Sequence, residues 1–250
     1  MTALPSPGME LRGSAALVTG GAHRVGRAIV LGLAEAGADL VLHYGRSAEA
    51  AEETAAEAAG RGARVRLVSA DLRDAGAAAE IVAGAGDLAP LNILVNSAGA
   101  FPEDRLTDVT PEQWEHTLAV NLRSPVFLTQ AFAAALPADR RGAVVNVTDW
   151  RTARPYRDHF SYTVAKAALD GFTGAAAESL APRIRVNAVA LGAILPPPGK
   201  DSAYLRDLAR TIPVEEVGGT APVVDAVLFL LRNDFVTGEI VRIDGGAHLR

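Results

Sequence analysis

Residues 15–26 read AALVTGGAHRVG and run straight into the apolar stretch Arg27-Ala-Ile-Val-Leu. An apolar pentad, a turn carrying Gly20 and Gly26, and then apolar residues at helical spacing describe a strand that turns into a helix. Such a turn aims backbone N–H groups and a helix N-terminus at a phosphate, and its glycines let a dinucleotide approach the main chain. The pair Gly20-Gly21 fits a plain tight turn equally well, and Arg24 stands where a middle glycine is expected.

Outward from this stretch, short runs rich in Val, Ile and Leu alternate with longer Ala-rich segments. Strands are expected at 15–19, 39–43, 64–69, 92–96, 142–148, 184–190 and 239–244, and helices at 28–36, 48–59, 111–136, 162–180 and 222–231. All but the last strand are near-continuously apolar, as parallel strands covered on both faces must be. The expected fold is α/β, a doubly wound seven-stranded parallel sheet with helices on both faces. Thr110 and Pro111 suit a cap and first turn. The tract LPPPGKDS at 195–202, followed by an amphipathic segment over 204–210, is expected to lie over a ligand. A loose leader is expected over residues 1–10 and a single domain over residues 11–250.

The 250 residues, 49% hydrophobic and 21% charged, suffice for one large core and not for a second full domain. A net charge of -5 without a basic cluster gives a nucleic-acid backbone no footprint. With no cysteine, disulfides, thiolate metal sites and thiol nucleophiles are excluded; no metal site is expected, and a cytoplasmic setting is the default. No window reaches the roughly 18 apolar residues a membrane helix needs.

The remaining strand ends strengthen the nucleotide reading. The second strand closes on His43-Tyr44-Gly45-Arg46-Ser47, where a sheet selecting NAD places an acid for the ribose hydroxyls. Arg46 and Ser47 instead offer a guanidinium fork and a hydroxyl to a 2'-phosphate, which favours NADPH, although Arg46 also fits an ordinary solvated loop. Asp71-Leu72 after the third strand can flank an adenine or simply cap a helix, and Asn96-Ser97-Ala98-Gly99 after the fourth lets backbone approach a ribose. Tyr162 and Lys166 lie four apart on an expected helix and so share one face. A nearby ammonium is expected to draw the phenol from its usual value of about 10 towards neutrality, freeing Tyr162 to exchange a proton. An isolated Tyr-x-x-x-Lys pair is more often a surface pair, but this one follows the fifth strand by one step.

Taken in order, Thr19-Gly20 to Gly26, Asp71, Asn96 to Gly99, Asn121, Tyr162 with Lys166, Val186-Asn187-Ala188-Val189 and Val236-Thr237-Gly238 to Gly246 make the chain resemble the short-chain dehydrogenase/reductase family over essentially its whole length. The resemblance implies a Rossmann-type fold, hydride transfer with a nicotinamide cofactor and a homotetramer. It implies that Tyr162 is the acid, that Lys166 lowers its pKa and holds the nicotinamide ribose, and that Asn121 helps hold a relay water. An Asn121 amide that satisfies backbone at a helix kink is compatible with that role. The cofactor residues implied are Gly20, Arg24, Val25, Gly26, His43, Tyr44, Arg46, Ser47, Asp71, Leu72, Asn96, Ala98, Gly99, Thr148, Tyr162, Lys166, Gly192 and Ile194.

Two departures narrow the reading. Asp149 occupies the place of the family's serine, thirteen residues before the tyrosine, and Arg24 replaces a glycine of the phosphate turn. With His43 to Ser47 and Phe101, these are similar to the pteridine reductases and dihydromonapterin reductases. That resemblance implies that Arg24 reaches the cofactor phosphates and the substrate, and that Phe101 stacks on a flat ring opposite the nicotinamide. The chemistry agrees. An ionised carboxylate repels the oxyanion formed from C=O, whereas a protonated Asp149 can join Tyr162 in giving a proton to the nitrogen of C=N. Asp149 can also be read as a cap or ion-pair partner of Arg151 or Arg154.

Other departures concern the ring. Leu191-Gly192 replaces Pro-Gly, no threonine follows, so that Ile194 is left to meet the carboxamide through its backbone, and Gly99 stands where trypanosomatid pteridine reductases carry a serine. The expected activity is NADPH-dependent reduction of a dihydropterin or dihydrofolate, with Arg24, Phe101, Asp149 and Tyr162 meeting this small-molecule substrate. The alternatives are a carbonyl reductase for 3-oxoacyl thioesters, sugars or other ketones, with Thr148 or a protonated Asp149 polarising the oxygen, and a non-catalytic NADPH sensor.

Overall fold

The near-continuous apolar runs form strands that all lie parallel. The computed structural model describes residues 8–197 and 199–250; residues 1–7 of the expected leader, and Pro198 in the expected covering tract, lie outside the described residues. Strands β1 (Ala15–Thr19), β2 (Asp39–Tyr44), β3 (Val65–Ser69), β4 (Leu91–Asn96), β5 (Gly142–Asp149), β6 (Ile184–Leu191) and β7 (Ile240–Ile243) make one seven-stranded sheet in the order β3-β2-β1-β4-β5-β6-β7. The order reverses between β1 and β4, and ligands of doubly wound sheets bind beyond the strand ends at such a reversal.

Successive strand residues alternate between two cores. Ala16 and Val18 of β1 face a cluster built from helices α1 (Arg24–Glu35) and α8 (Ala221–Arg232), with Ile29, Val30, Leu33 and Leu230 at its centre. Leu17 faces the opposite cluster, where α3 (Ala77–Ala83), α5 (Ser124–Ala135) and α6 (Phe160–Leu180) contribute Ile81, Leu128, Phe132 and Ala177. Helices therefore cover both faces. Phe132 is fully buried, so truncating it to alanine is expected to cost about 3–5 kcal/mol.

Helices α2 (Ala48–Gly60), α4 (Pro111–Leu118) and α7 (Ser202–Ala209) complete the set among the described residues. Asp201 caps α7 by accepting from the N–H groups of Ala203 and Tyr204, which gives the expected amphipathic segment its start. Thr110 and Gln113 cap α4 reciprocally: Thr110 Oγ1 accepts from the Gln113 N–H at 3.3 Å, and Gln113 Oε1 accepts from the Thr110 N–H at 3.1 Å.

The structure corrects the helix reading twice. The expected helix 111–136 is two helices joined by a π turn over Ala119–Arg123, a widened turn of the kind that gathers at functional sites. Helix α3, short and bracketed by Gly76 and Gly84, was not anticipated.

Candidate active site

The turn after β1 is built so that only main chain fits in it. Gly20 has φ +66°, and a Cβ there would lie 2.9 Å from Ala98 Cα; a Cβ on Gly26 would lie 2.2 Å from the Gly20 carbonyl oxygen. Arg24 adopts φ +53°, the left-handed region that favours glycine. The glycine expectation was thus right about the backbone, and an arginine holds the position under strain. Its side chain is exposed, while Val25 is half-buried against the core of α1 and α8.

His43 sits beneath this turn, 2% exposed. Its Nδ1 accepts from the Gly20 N–H at 3.4 Å, and its Nε2 lies 3.1 Å from the Ala70 carbonyl oxygen. Burial lowers its pKa and keeps the ring neutral. With both nitrogens engaged, His43 props the turn from below. Thr19 ties the turn to β4, its Oγ1 accepting from the N–H groups of Ser97 and Ala98 at 3.0 Å each.

At the end of β2, Tyr44 packs against the core, Arg46 is exposed and Ser47 is half-buried at the start of α2. The Asp71 carboxylate pairs with Arg73, whose guanidinium holds it well below the usual carboxylate range, and the charge of Arg46 adds to this. Leu72 beside it is buried. Asn96 Nδ2 donates to Asn146 Oδ1 at 2.8 Å. Asn96 Oδ1 and Thr148 Oγ1 are buried without a partner. The unmatched oxygen at the end of β4 is a place for a ligand hydroxyl to donate, and Thr148 at the end of β5 stands close to the Asp170 carboxyl.

Asn121 explains the π turn. Its Nδ2 donates to the carbonyls of Ala100 (2.9 Å) and Thr117 (3.0 Å), and its Oδ1 accepts from the Ala100 N–H at 3.2 Å. The kinked-helix reading holds: both amide hydrogens serve backbone, and a Cβ on Gly99 would approach Oδ1 to 3.1 Å. Gly192 packs so closely on Asp244 that a Cβ would lie 2.5 Å from its Cα. Ile194 is buried, and its N–H donates to the Gly192 carbonyl at 2.9 Å, which engages that donor inside the turn.

Tyr162 and Asp149 meet as the spacing of thirteen suggests. The phenol donates to Asp149 Oδ2 at 3.0 Å, and Asp149 Oδ1 accepts from the Arg151 N–H at 2.9 Å. Asp149 thus caps the turn that follows β5 with one oxygen and meets the Tyr162 phenol with the other. Lys166, fully enclosed, donates from Nζ to the Val147 carbonyl at 2.7 Å and lies 5.7 Å from the centre of the Tyr162 ring.

The electrostatics overturn one expectation. Burial pushes the Tyr162 phenol well above its ordinary pKa, and the Asp149 carboxylate reinforces this; Lys166 does not draw it towards neutrality. Burial instead lowers Lys166 to about 8 and raises the Asp149 carboxyl, against the opposing influence of Arg151, Tyr162 and Lys166. A neutral phenol beside a carboxyl that takes a proton readily is an arrangement for giving protons.

Sequence reasoning named Phe101 but missed the residues that pack around it. The Phe101 ring stacks on His159 (centroids 3.7 Å apart, 14° between planes), meets Tyr162 edge-on at 4.6 Å and lies 5.2 Å from the Arg151 guanidinium carbon. His159 enters α6 at φ +53° and its Nδ1 lies 2.6 Å from the Pro102 carbonyl oxygen. The buried Asp104 carboxylate receives the N–H and hydroxyl of Ser161. Two residues in glycine-favouring conformations, Arg24 and His159, thus stand at the turn after β1 and at the entry to α6. A residue type disfavoured by its own backbone leaves no mark in periodicity, so the signal lay only in the two long loops, between β4 and α4 and between β5 and α6.

Among the described residues, no three His, Asp or Glu side chains gather as a metal would need, and no helix is long and apolar enough to cross a membrane. A family model described as enoyl-(acyl carrier protein) reductase matches residues 20–248. The chain is similar to L-xylulose reductase of Bos taurus (34% identity over 246 residues, 95% of this chain and 98% of that one). It is also similar to 3-oxoacyl-(acyl-carrier-protein) reductase of Synechocystis sp. (28% over 241 residues, 94% and 97%). Of solved structures, FolM alternative dihydrofolate reductase 1 from Brucella canis, complexed with NADP, superposes with a TM-score of 0.92 at 34% identity, covering 96% of each chain.

Proposed function

The chain belongs to the short-chain dehydrogenase/reductase family and is an NADPH-dependent reductase, and from that premise we propose that it reduces a C=N bond of a dihydropterin or dihydrofolate. The observation that carries this reading is the Tyr162–Asp149 hydrogen bond of 3.0 Å, in which a carboxyl raised by burial takes the place of a neutral hydroxyl donor. The FolM neighbour from Brucella canis supports it.

The cofactor fits. The side-chain-free turn of Gly20 and Gly26 leaves room for a pyrophosphate, and the unmatched Asn96 oxygen suits a hydroxyl donor. Arg46 and Ser47 are proposed to hold the 2'-phosphate, Arg24 and Val25 to flank the phosphates, and Asp71 and Leu72 to bound the adenine. Asn96, Ala98, Gly99, Thr148, Tyr162, Lys166, Gly192 and Ile194 line the nicotinamide side in this proposal. When bound, NADPH supplies the hydride.

The chain's own residues then handle the proton. Tyr162 gives its phenolic proton to the imine nitrogen, and Asp149 in its protonated form either gives its own or restores that of Tyr162. Solvent is proposed to resupply the pair through Asp149, which is not completely buried. Lys166 supplies positive charge behind the phenol as its proton leaves, and Asn121 holds the Ala100 backbone at the wall. Phe101 is 40% exposed but already carries His159 on one face, so a flat ring is proposed to meet the part of it left open.

A second reading, a carbonyl reductase, draws on the unpartnered Thr148 hydroxyl, which suits a ketone oxygen, and on the names of the curated relatives. Steady-state NADPH oxidation decides between them, with dihydrobiopterin, dihydromonapterin and dihydrofolate run beside ketones and 3-oxoacyl thioesters from acid to neutral pH. Acid-favoured turnover of pterins alone supports the first; turnover confined to carbonyls replaces it with the second. A cytoplasmic homotetramer completes the proposal. The cysteine-free chain suits a reducing compartment, and exposed Phe127 on α5 and Val164 on α6 offer apolar surface to other copies, to be checked by light scattering.

A further inference from the structure

We propose that Arg151 is a specificity-determining residue that binds an oxygen acceptor of the substrate, a ring oxo group or a carboxylate borne on a side chain. The inference rests on the reductase reading of the Tyr162 site and deepens it by naming what the substrate must carry besides the reducible bond.

Arg151 stands in the single 3-10 turn Trp150–Thr152 that follows β5, two residues beyond Asp149. Its backbone N–H is committed to Asp149 Oδ1. Its side chain is not: among the described residues the guanidinium makes no hydrogen bond and no ion pair, and Nη1 is shut off from water without any partner. The guanidinium carbon lies 5.2 Å from the Phe101 ring centre and 5.5 Å from that of Tyr156. Both rings are partly exposed, 40% and 46%. The aromatic faces hold the cation in place, and attraction to a ring quadrupole is weaker than a charge-assisted hydrogen bond.

Closing off a guanidinium nitrogen with no acceptor is unfavourable, and native chains rarely leave such a group unmatched. Of the carboxylates around the site, Asp149 and Asp104 are already engaged, and Asp170 faces Thr152, Thr148 and Arg242 rather than Arg151. Asp149 is bonded to the Arg151 backbone and to Tyr162, and Asp104 is bonded to Ser161. Phe101 adjoins both Arg151 and Tyr162, so a substrate set against the open part of Phe101 has the guanidinium and the phenol both within reach. An acceptor on the substrate completes the set, and a planar fork selects a carboxylate or oxo group over a methyl or amino group.

The test compares wild type with Arg151→Met and Arg151→Lys on dihydrobiopterin, which carries a ring oxo group and no carboxylate, and on dihydrofolate, which carries both. Thermal melting and quenching of protein fluorescence by NADPH establish that each variant is folded and loaded. Arg151→Met is expected to lower kcat/KM by about 10- to 100-fold through KM, and Arg151→Lys by less, since charge remains but the fork is lost. Equal losses on both substrates assign the ring oxo group; a loss confined to dihydrofolate assigns the carboxylate. Unchanged KM for both substrates in Arg151→Met overturns the proposal.

Should wild type reduce only carbonyl compounds, the pterin reading fails and Arg151 is still put to the test. The matched substrates are then a ketone with and without a carboxylate. A selective loss on the acid upholds the proposal, and equal KM values in wild type and variant refute it. Arg151→Lys also serves if the methionine variant melts below assay temperature.

Discussion

The phenol of Tyr162 donates to one carboxylate oxygen of Asp149 at 3.0 Å while the other oxygen receives the Arg151 N–H. Asp149 therefore accepts from two donors, the phenol and a backbone N–H, in a setting whose burial raises its pKa. Because the carboxyl gives up its proton as pH rises through that raised value, pterin reduction is expected to be fastest on the acid side and to decline towards neutral pH. Asp149→Asn should lower kcat by about 10- to 100-fold and flatten the profile, as loss of a general acid does. A pH–rate series on the two proteins checks it, and a higher pterin turnover in Asp149→Ser would show the assigned role to be wrong.

The same shift bears on stability. A carboxyl whose folded pKa lies above its unfolded value favours the folded state while protonated, so its contribution is complete below the unfolded pKa and is lost as pH rises through the folded one. Asp149→Asn keeps an acceptor for the Arg151 N–H and cannot ionise. Its melting temperature is expected to exceed that of wild type near neutral pH, with the difference shrinking towards pH 4. Scanning calorimetry over that range reads the trend, and a difference that grows in acid contradicts it.

Arg24 and Gly26 separate binding from folding. Arg24 holds φ +53° at a strain of about 1 kcal/mol. Arg24→Gly removes that strain but loosens the unfolded chain by a similar amount, so Tm should stay within about 2 °C while KM for NADPH rises about tenfold. Gly26→Ala, whose Cβ would lie 2.2 Å from the Gly20 oxygen, is expected to lose both stability and cofactor binding. Melting curves with and without NADPH tell the two apart; a collapse of Arg24→Gly would place the arginine in the fold.

How far the sequence carried depended on where the determining contact lies. Strands β1, β4, β5 and β6 were legible because burial on both faces demands unbroken apolar runs, and the reversal between β1 and β4 put the strand-end residues on one rim. Helix α3 was hidden by its brevity and its flanking glycines. The π turn was hidden because Ala119–Arg123 continues the helical period of its neighbours. The Tyr162 shift ran against expectation because enclosure depends on what the rest of the chain packs around the phenol, which spacing to Lys166 does not encode. The contacts of Arg151, His159 and Asp104 join loops far apart in the chain and are set only once the sheet has formed.

Asn121 tests the π turn directly. Its amide bonds hold Ala100 and Thr117 at once, and removing it takes one partner from each of three backbone groups, two at Ala100 and one at Thr117. At about 1–3 kcal/mol for each group left short of a partner, partly relieved by water, Asn121→Ala should melt about 10 °C lower. Asn121→Asp, which keeps an acceptor and loses both donors, should fall between. Differential scanning fluorimetry measures both, and an unchanged Tm in the alanine variant would leave the amide without a structural role.

Arg46 bears on cofactor choice, because the end of β2 holds no acid to receive ribose hydroxyls and the guanidinium stands exposed beside Ser47. Its charge reaches Asp71, whose carboxylate is already paired with Arg73, so the Arg46 fork remains available to a 2'-phosphate. Arg46→Ala is expected to raise KM for NADPH by about 10- to 100-fold and to leave KM for NADH within about twofold, since only the former carries the phosphate. The effect should weaken at high salt, as an exposed charge is screened over about 8–10 Å at ordinary ionic strength. Arg46→Asp should go further and favour NADH, by repelling the phosphate and accepting from the hydroxyl. Parallel KM measurements with both cofactors decide it; equal losses for NADPH and NADH in Arg46→Ala would mean that the residue supports the loop and does not select the phosphate.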